Sequence, residues 1–117
     1  MIPRISELAL NDEIEAYNIP QGIISHLYRD IASGKPGVFT KVGLGTFADP
    51  RIEGGKVNKS SKENLIELIN IKEEEYLFIP TFPLDLAILR GSVADKNGSI
   101  SMRTEALIID NLAQAKA

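Results

Sequence analysis

The clearest hydrophobic pattern in the chain lies between residues 20 and 34. Apolar side chains recur there at i, i+1, i+4, i+5 and i+8, which places them on one face of a helix. Pro20 suits the first helical turn, whereas Gly34 and Pro36 indicate where the helix ends. We therefore expect a helix from Pro20 to Gly34, with an apolar stripe made of Ile23, Ile24, Leu27, Tyr28 and Ile31.

Two runs typical of strands flank this helix. The run "EIEAYNI" (13–19) alternates loosely between polar and apolar residues, and "GVFTKVGLG" (37–45) is rich in β-branched and aromatic residues. A strand, a helix and a strand with short connections predict a βαβ unit, hence a parallel strand pair. The pattern therefore favours an α/β fold with an open, mixed, largely parallel sheet flanked by helices.

The pattern after residue 60 allows two interpretations. Ser60 and Glu63 form a capping-box pattern before "LIELI", which predicts a helix. The runs "LIELINI" (65–71) and "EYLFIP" (75–80) around a polar "KEE" predict a β-hairpin instead. We favour the hairpin.

The last third of the chain predicts three further elements. The run "DLAILRGSVAD" (85–95) is typical of a buried strand, and "DKNG" (95–98) predicts a tight turn before "SISMR". A helix is expected from Thr104 nearly to the end of the chain. One side of that helix would carry Leu107, Ile108, Leu112 and Ala115.

A long glycine-rich segment, "GLGTFADPRIEGGKVN" (43–58), separates the two halves. Gly43, Gly45 and Ala48 match the spacing of a dinucleotide fingerprint, but that mechanism needs a helix to open there, and Pro50 follows at once. A P-loop would need a glycine where Pro50 stands and a hydroxyl residue where Val57 stands. Both nucleotide-binding interpretations therefore fail.

The charge of this region is distinctive, because residues 41–62 carry a net charge of +3 in a chain whose net charge is −3. A basic loop can meet a polyanionic ligand, but it can equally be an ordinary solvated loop, which we favour. The acidic chain as a whole gives no sign of nucleic-acid binding. The charged residues are Lys41, Arg51, Lys56, Lys59 and Lys62, with Asp49 and Glu53.

Composition excludes several kinds of chemistry. The 117 residues include no cysteine and one histidine, which excludes thiolate catalysis, disulfides and multi-histidine metal centres. The absence of cysteine fits a reducing cytoplasm, and no apolar run approaches the roughly 18 residues of a membrane span. We therefore expect a cytoplasmic chain with no bound metal, no membrane segment and no nucleic-acid partner.

Four segments, taken together, resemble the first-half domain of family I coenzyme A transferases, most closely the acetate/propionate branch. They are "YNIPQGIISHLYRDIASGKPG", "VGLGTFADPRIEGGKVN", "FPLDLAILRGSVADKNGSISM" and "EAL". The resemblance implies that residues 1–117 form a single partial domain, the central and C-terminal part of the first (alpha-type) domain. It also implies an open α/β sheet in each of two related domains, with the active site between them.

Enzymes of this family exchange CoA between a short-chain acyl-CoA and a small carboxylic acid through a glutamyl-CoA thioester. The resemblance implies that the CoA thioester is a substrate and that no cofactor is bound permanently. The nucleophilic glutamate belongs to the second domain, and none of the glutamates in this chain matches its motif. The implied partners are acyl-CoA, a small carboxylate, the remaining domain or subunit, and further copies in a homo-oligomer. The alternative is a non-catalytic ligand-binding or interaction domain that retains the fold.

The resemblance places part of the substrate pocket in this chain. It implies that Gln21 of "PQG" reaches the acyl or carboxylate group and that Gly22 permits close approach. It also implies that Gly43, Leu44, Gly45 and Thr46 line the acyl pocket. The competing interpretation of Gln21 is an ordinary polar residue in the first turn of a helix.

Four other polar residues receive structural interpretations. We expect His26 to be a structural helix residue and Arg90 to form an ion pair or a cap at a strand end. Asp85 and Asp95 are interpreted as strand-end and turn residues.

Overall fold

A computed structural model describes residues 3–105 and 108–117 of the chain, which form a mixed α/β structure. Two antiparallel sheets lie beside the helices, one with strand order β1-β3-β2 and one made of β4 and β5. The helices are α1 (Pro3–Leu10), α2 (Gln21–Ala32) and α3 (Ile108–Lys116), and the strands are β1 (Gly37–Thr40), β2 (Glu67–Ile71), β3 (Glu74–Pro80), β4 (Val93–Ala94) and β5 (Ile100–Ser101).

Helix α2 confirms the predicted amphipathic helix. Pro20 stands just before its first residue with φ −52°, and Gly34 follows its end with φ +69°, a left-handed conformation that glycine adopts readily. Ile23 and Leu27 of the apolar stripe are buried against the sheet. The helix is therefore held by its apolar face, as its spacing predicts.

The hairpin prediction for residues 65–80 is also confirmed. Strands β2 and β3 pair antiparallel, and the turn residues Lys72 and Glu73 both have positive φ, at 50° and 66°. Two consecutive residues of this kind match the right-handed twist of the strands they join. The competing capping box does not form, since the N–H of Glu63 donates to the hydroxyl of Tyr17 instead of to Ser60.

The predicted parallel arrangement is wrong for the described residues. Strand β1 pairs antiparallel with β3, with Val38 opposite Ile79 and Phe39 opposite Phe78. The β2–β3 hairpin makes β3 antiparallel to β2, and β1 also pairs with β3 in the antiparallel sense. β3 therefore runs against both of its neighbours. The predicted β1 also extends too far, since the strand ends at Thr40 and not at residue 45.

Residues 13–19 do not form the expected strand of a βαβ unit. Their backbone groups bind the far end of the glycine-rich segment, through N–H···O bonds from Asn18 to Gly55 (2.7 Å) and from Val57 to Ala16 (2.9 Å). The buried hydroxyl of Ser61 also bonds both the N–H and the carbonyl of Ala16. These bonds leave a single bridge, between Tyr17 and Lys56, in place of a ladder.

The predicted strand at 85–95 is reduced to Val93–Ala94. Residues 86–88 lie open to solvent, with Leu86 79% and Ile88 89% exposed. The turn that follows is as expected, because the carboxylate of Asp95 accepts the N–H groups of Asn97 and Ser99. An apolar run of this kind forms a strand only where other strands pair with it, and the described residues supply none at 85–92.

Helix α3 begins at Ile108 and not at Thr104, while Leu107 lies outside the described residues. It is tied to α2 by the buried carboxylate of Asp110, which accepts the hydroxyl of Ser25 (2.8 Å) and pairs with Arg29 (3.4 Å). The predicted apolar side faces outward, and Leu112 is 66% exposed. The helix therefore docks through its polar side.

Helix α1 is an element that the hydrophobic pattern does not predict. Pro3 occupies its first position, where proline is favoured. The side-chain amide of Asn58 donates to the carbonyl of Ala9 near its end (2.7 Å) and to that of Ile14 (2.8 Å). The glycine-rich segment thus stabilises the position of the amino-terminal helix.

The core lies between α2 and the three-stranded sheet. Leu77 at the centre of β3 has no exposed surface, and Ala48 brings the glycine-rich segment into the same cluster. The buried members are Ile23, Leu27, Val38, Ala48, Ile66, Leu77 and Ile79. The core therefore fixes the positions of α2, β1 and the glycine-rich segment relative to one another.

We expect Gly37→Ala to destabilise the chain by roughly 1–3 kcal/mol, the usual range for overpacking a well-filled site. A Cβ at residue 37 would collide with the carbonyl oxygen of Ile79 and lie 2.6 Å and 2.9 Å from two ring carbons of Phe78. Urea unfolding would measure the loss. Gly34→Ala is the matched control, since no atom lies within 4 Å of a Cβ there and only its φ of +69° resists the change. Equal losses for the two variants would contradict this account of Gly37.

Candidate functional site

A largely apolar cavity of about 540 Å³ lies between the start of α2 and strand β1. Its volume falls within the roughly 300–1,000 Å³ typical of small-ligand pockets. The charged side chains of Asp30 and Lys35 at its wall pair with each other at 3.0 Å. The lining residues are Pro20, Gly22, Ile23, His26, Asp30, Lys35, Pro36, Gly37, Val38, Phe39, Thr40 and Val42.

The "PQG" motif lies at this cavity. Pro20 and Gly22 line it, and Gln21 stands between them as the first residue of α2. Gln21 is exposed, and its side chain makes no hydrogen bond within the described residues. Among the described residues, apart from its chain neighbours and the adjacent helix backbone, no atom lies within 4 Å of a Cβ placed on Gly22. The space beside this helix start is therefore open to a ligand.

Gln21 itself is not among the lining residues, and the four other predicted site residues, which follow Val42 directly, do not line the cavity either. Leu44 packs against the core. Gly43 has φ +99°, and a Cβ there would lie 3.1 Å from both Ala48 Cβ and Leu77 Cδ1. Thr46 turns its hydroxyl inward to the carbonyl of Gly43 at 2.7 Å. The structure thus places Gly22 in the cavity lining. Residues 43–46 follow the lining residue Val42 along the chain.

The amide groups of this segment are already engaged. The N–H of Leu44 donates to the carbonyl of Lys41 (3.3 Å), that of Gly45 to the carboxylate of Asp49 (2.8 Å), and that of Thr46 to the carbonyl of Gly43 (3.1 Å). A phosphate cradle requires several free N–H groups pointing at one anion. Residues 44–46 therefore do not form a phosphate-binding loop.

Asp49 is the buried charge that organises this region, with only 1% of its surface exposed. Its Oδ1 accepts the backbone N–H of Arg51 (3.0 Å) and the Nε–H of Arg51 (2.9 Å), and its Oδ2 accepts Gly45 N–H (2.8 Å) and Arg51 Nη2 (2.7 Å). The Arg51 guanidinium, followed by the amides of Gly45 and Arg51, holds the pKa of this carboxyl far below its usual range. Asp49 is therefore ionised at any physiological pH.

The basic loop is largely bound to the protein itself. Arg51 Nη1 also contacts both carboxylate oxygens of Glu75, at 3.1 Å and 3.0 Å. Lys41 pairs with Glu74 at 3.0 Å, which raises the pKa of Lys41, and Lys56 donates to a backbone carbonyl and a side-chain amide. Because three of the five cations have partners of this kind, the structure favours the ordinary loop interpretation over a polyanion site.

Sequence reasoning missed two features of the site. His26 was expected to be a structural helix residue, but it is exposed and lines the cavity. The Asp49–Arg51 ion pair is the second feature, because these two residues enter the sequence-based predictions only through the net charge of residues 41–62. The "DPR" sequence carried a usable signal, because an acid two residues before an arginine in a glycine-rich turn can bond both the turn amides and the guanidinium.

Two of the remaining polar predictions agree with the structure, whereas Asp85 lies between β3 and β4 and is not a strand-end residue. Arg90 forms an ion pair with Glu105 at 3.0 Å, and Asp95 is a turn residue.

Among the described residues, no cluster of three or more acidic or histidine side chains could hold a metal ion. Within the same ranges, no helix is long and apolar enough to cross a membrane.

Curated relatives align with almost the whole chain. A caffeate CoA-transferase from Acetobacterium woodii is 51% identical over 96% of the chain, and an acetate CoA-transferase, YdiF, from Escherichia coli is 41% identical over 98%. The alpha subunit of an acetoacetyl-CoA:acetate/butyrate CoA transferase from Clostridium acetobutylicum is 34% identical over 83%. The chain spans 22% of the length of the first two proteins and 38% of the third.

The fold gives the same assignment. The crystal structure of the YdiF acyl-CoA transferase apoenzyme from Escherichia coli superposes with a TM-score of 0.90 at 40% identity, over 98% of this chain and 22% of that one. The family model for coenzyme A transferases matches residues 2–117. The chain therefore belongs to the coenzyme A transferase family.

Proposed function

We propose that this chain is the substrate-pocket part of a CoA-transferase, which exchanges CoA between a short-chain acyl-CoA and a carboxylic acid. It forms the central and C-terminal part of the enzyme's first domain. The reaction passes through a glutamyl-CoA thioester whose glutamate lies outside this chain. The observation that carries the proposal is the apolar cavity at the start of α2, lined by the residues on either side of Gln21, whose side chain makes no hydrogen bond within the described residues.

The cavity suits an acyl group attached to a polar carbonyl or carboxylate. Its walls are mostly apolar, with Ile23, Val38, Phe39 and Val42 among the lining residues. Apolar walls with a few placed polar groups are the usual composition of a small-molecule site. An acyl chain would fill the apolar part and place its polar end near the helix start.

Gln21 provides the polar contact in this arrangement. Its amide NH₂ can donate to a carboxylate or thioester oxygen, and no side chain in the described ranges competes for it. Since it stands in the first turn of α2, the positive end of the helix dipole also favours a negatively charged ligand group there. Gly22 lets the ligand approach the helix backbone closely.

Residues 43–46 contribute the shape of the neighbouring wall. The amides of residues 44–46 are committed to protein acceptors, so these residues recognise an acyl group by contact and not by hydrogen bonding. Gly43 and Gly45 have positive φ angles, of 99° and 71°, which favour glycine, and neither residue adds a side chain to this surface. The proposed wall therefore offers few hydrogen-bonding groups but has a specific shape.

The names of the relatives support the proposed reaction. The two most similar of the relatives described above are called caffeate and acetate CoA-transferases, and one solved YdiF structure is a thioester complex with CoA. Covalent catalysis of this kind divides a difficult acyl exchange into easier steps. The CoA thioester is then a substrate, and no permanently bound cofactor is required.

The remaining part of the enzyme is the expected partner of this chain. The chain exposes Leu86, Ile88 and Leu112, and the free edge of β1 borders the cavity. Exposed apolar side chains and an open strand edge are each typical of surfaces that other protein segments cover. We assign that surface to the rest of the CoA-transferase, in a cytoplasmic homo-oligomer, and residues 85–92 become a strand of its larger sheet.

In the full-length enzyme, we expect Gln21→Ala to lower kcat/KM for the carboxylate substrate roughly 10- to 150-fold, the equivalent of about 1.5–3 kcal/mol for one hydrogen bond to a charged group. Folding should be unaffected, because Gln21 is exposed and its side chain makes no hydrogen bond in the described structure. Steady-state kinetics and thermal unfolding would measure both. Gln114→Ala on α3 removes the other glutamine of the chain and serves as the matched control. Unchanged kinetics for Gln21→Ala would make it an ordinary helix-start residue.

Gly22→Ala should separate ligand binding from folding. A methyl group there meets no atom of the chain, and alanine favours a helix over glycine by up to about 1 kcal/mol. We therefore expect unchanged or higher stability together with a loss of about tenfold or more in kcat/KM, since the methyl group enters the ligand space. A variant that is fully active would show that the open space at Gly22 is not used by the substrate.

The isolated 117-residue chain should form no covalent CoA adduct, because the thioester-forming glutamate lies outside it. The chain would be incubated with excess acetyl-CoA, quenched in acid and examined by intact mass. We expect only the unmodified mass and no CoA exchange between acetyl-CoA and propionate. Added mass that hydroxylamine removes would identify a thioester and place a nucleophilic carboxylate within this chain.

A further inference from the structure

We propose that Asp49 is a positioning residue that sets the shape of the wall formed by residues 43–46. Its carboxylate accepts a hydrogen bond from the N–H of Gly45. This bond restrains the part of the backbone in which glycine allows the most conformational freedom. The inference rests on the proposed function only in treating residues 43–46 as part of the acyl pocket. The hydrogen-bond geometry stands independently of that assignment.

The contact joins a buried charge to an exposed loop. Gly45 is exposed, has φ +71° and has no chain atom within 4 Å of the position of a Cβ. Packing therefore does little to fix it, and glycine restricts its own backbone less than any other residue. The bond from Gly45 N–H to Asp49 Oδ2, at 2.8 Å, supplies the missing restraint.

Asp49 is itself rigidly held. Its backbone N–H donates to the carbonyl of Thr46 (2.9 Å), and its own carbonyl accepts the N–H groups of Ile52 (2.9 Å) and Gly54 (3.0 Å). The adjacent Ala48 is fully buried in the core. A restraint anchored in this way transmits the position of the core to the loop.

Arg51 completes the arrangement by compensating the buried charge. It donates to both Asp49 oxygens with its Nε and Nη2 groups and reaches Glu75 on β3 with Nη1. Planar, bidentate contacts of this type fix orientation as well as charge. A continuous path of hydrogen bonds therefore connects Gly45 to β3, the central strand of the three-stranded sheet.

A positioning role has a specific consequence for selectivity. If Asp49 sets the wall, its replacement changes which acyl groups fit and how well, while the core remains folded. A residue needed only for stability would lower the amount of folded protein without changing selectivity. Asp49→Asn removes the charge and places an NH₂ group opposite the donors of Arg51. Because a donor cannot accept from another donor, the bonds made at one of the two carboxylate oxygens must be lost.

The first experiment measures amide hydrogen exchange on the 117-residue chain. In wild type we expect the Gly45 amide to be protected although the residue is exposed. In Asp49→Asn its protection should fall by roughly tenfold or more, as expected for loss of a bond to a charged acceptor, while the amides of Leu77 and Ile79 keep theirs. If Asp49→Asn fails to fold, Arg51→Lys allows the same measurement, because lysine cannot supply the bidentate contact that holds the carboxylate.

The second experiment measures kcat/KM of the full-length enzyme for acetate, propionate and butyrate. Asp49→Asn should shift the ratios among the three acids by about tenfold. Asp95→Asn is the matched control, since Asp95 also accepts two loop amides next to a glycine of positive φ but lies in the β4–β5 turn.

The outcomes separate this inference from the proposed function. Altered ratios in Asp49→Asn alone, together with local loss of Gly45 protection, support the inference. An unchanged Gly45 exchange rate, or unchanged ratios in an active enzyme, overturns it. A wild-type enzyme that transfers no CoA would refute the proposed function, and the exchange experiment would still decide whether Asp49 holds the segment.

Discussion

A buried carboxylate must be surrounded by donors, and in this chain that requirement organises the region next to the cavity. Asp49 lies where the glycine-rich segment meets the core, and four hydrogen bonds from Gly45 and Arg51 satisfy it. Leaving such a group unpaired would be strongly unfavourable. The path of residues 43–55 is therefore constrained by a charge, although its glycines would otherwise allow many paths.

The same core defines the cavity. Ile23 and Val38 belong both to the buried cluster and to the cavity lining, so the packing of α2 on β1 also shapes the proposed acyl site. Gln21 and Gly22 contribute nothing to that packing, since both are exposed. Residues that shape the cavity, such as Ile23 and Val38, thus belong to the core, whereas Gln21 and Gly22 at the start of α2 are exposed.

Several apolar side chains on the outer surface of the described residues are exposed to solvent. Leu86, Ile88 and Leu112 are among the apolar side chains that have most of their surface exposed and lie outside the core. The relatives are longer, and the chain spans 22% of two of them. In a longer protein, surfaces of this type would be buried by neighbouring segments, as the hydrophobic effect favours.

The sequence by itself determined the local elements whose signals lie within a few residues. The stripe from Ile23 to Ile31 specified α2, the polar "KEE" between apolar runs specified the β2–β3 hairpin, and the motif combination around Gln21 and Gly43 identified the family. Tertiary structure alone decided the direction of strand pairing, because β1 could meet either a parallel or an antiparallel neighbour with the same residues. It also decided the fate of residues 13–19, whose amides bind Gly55 and Ser61 across about 40 residues of chain, and the burial of Asp49. Periodicity reports which face of an element is apolar, but only packing determines what that face and the backbone beside it will meet.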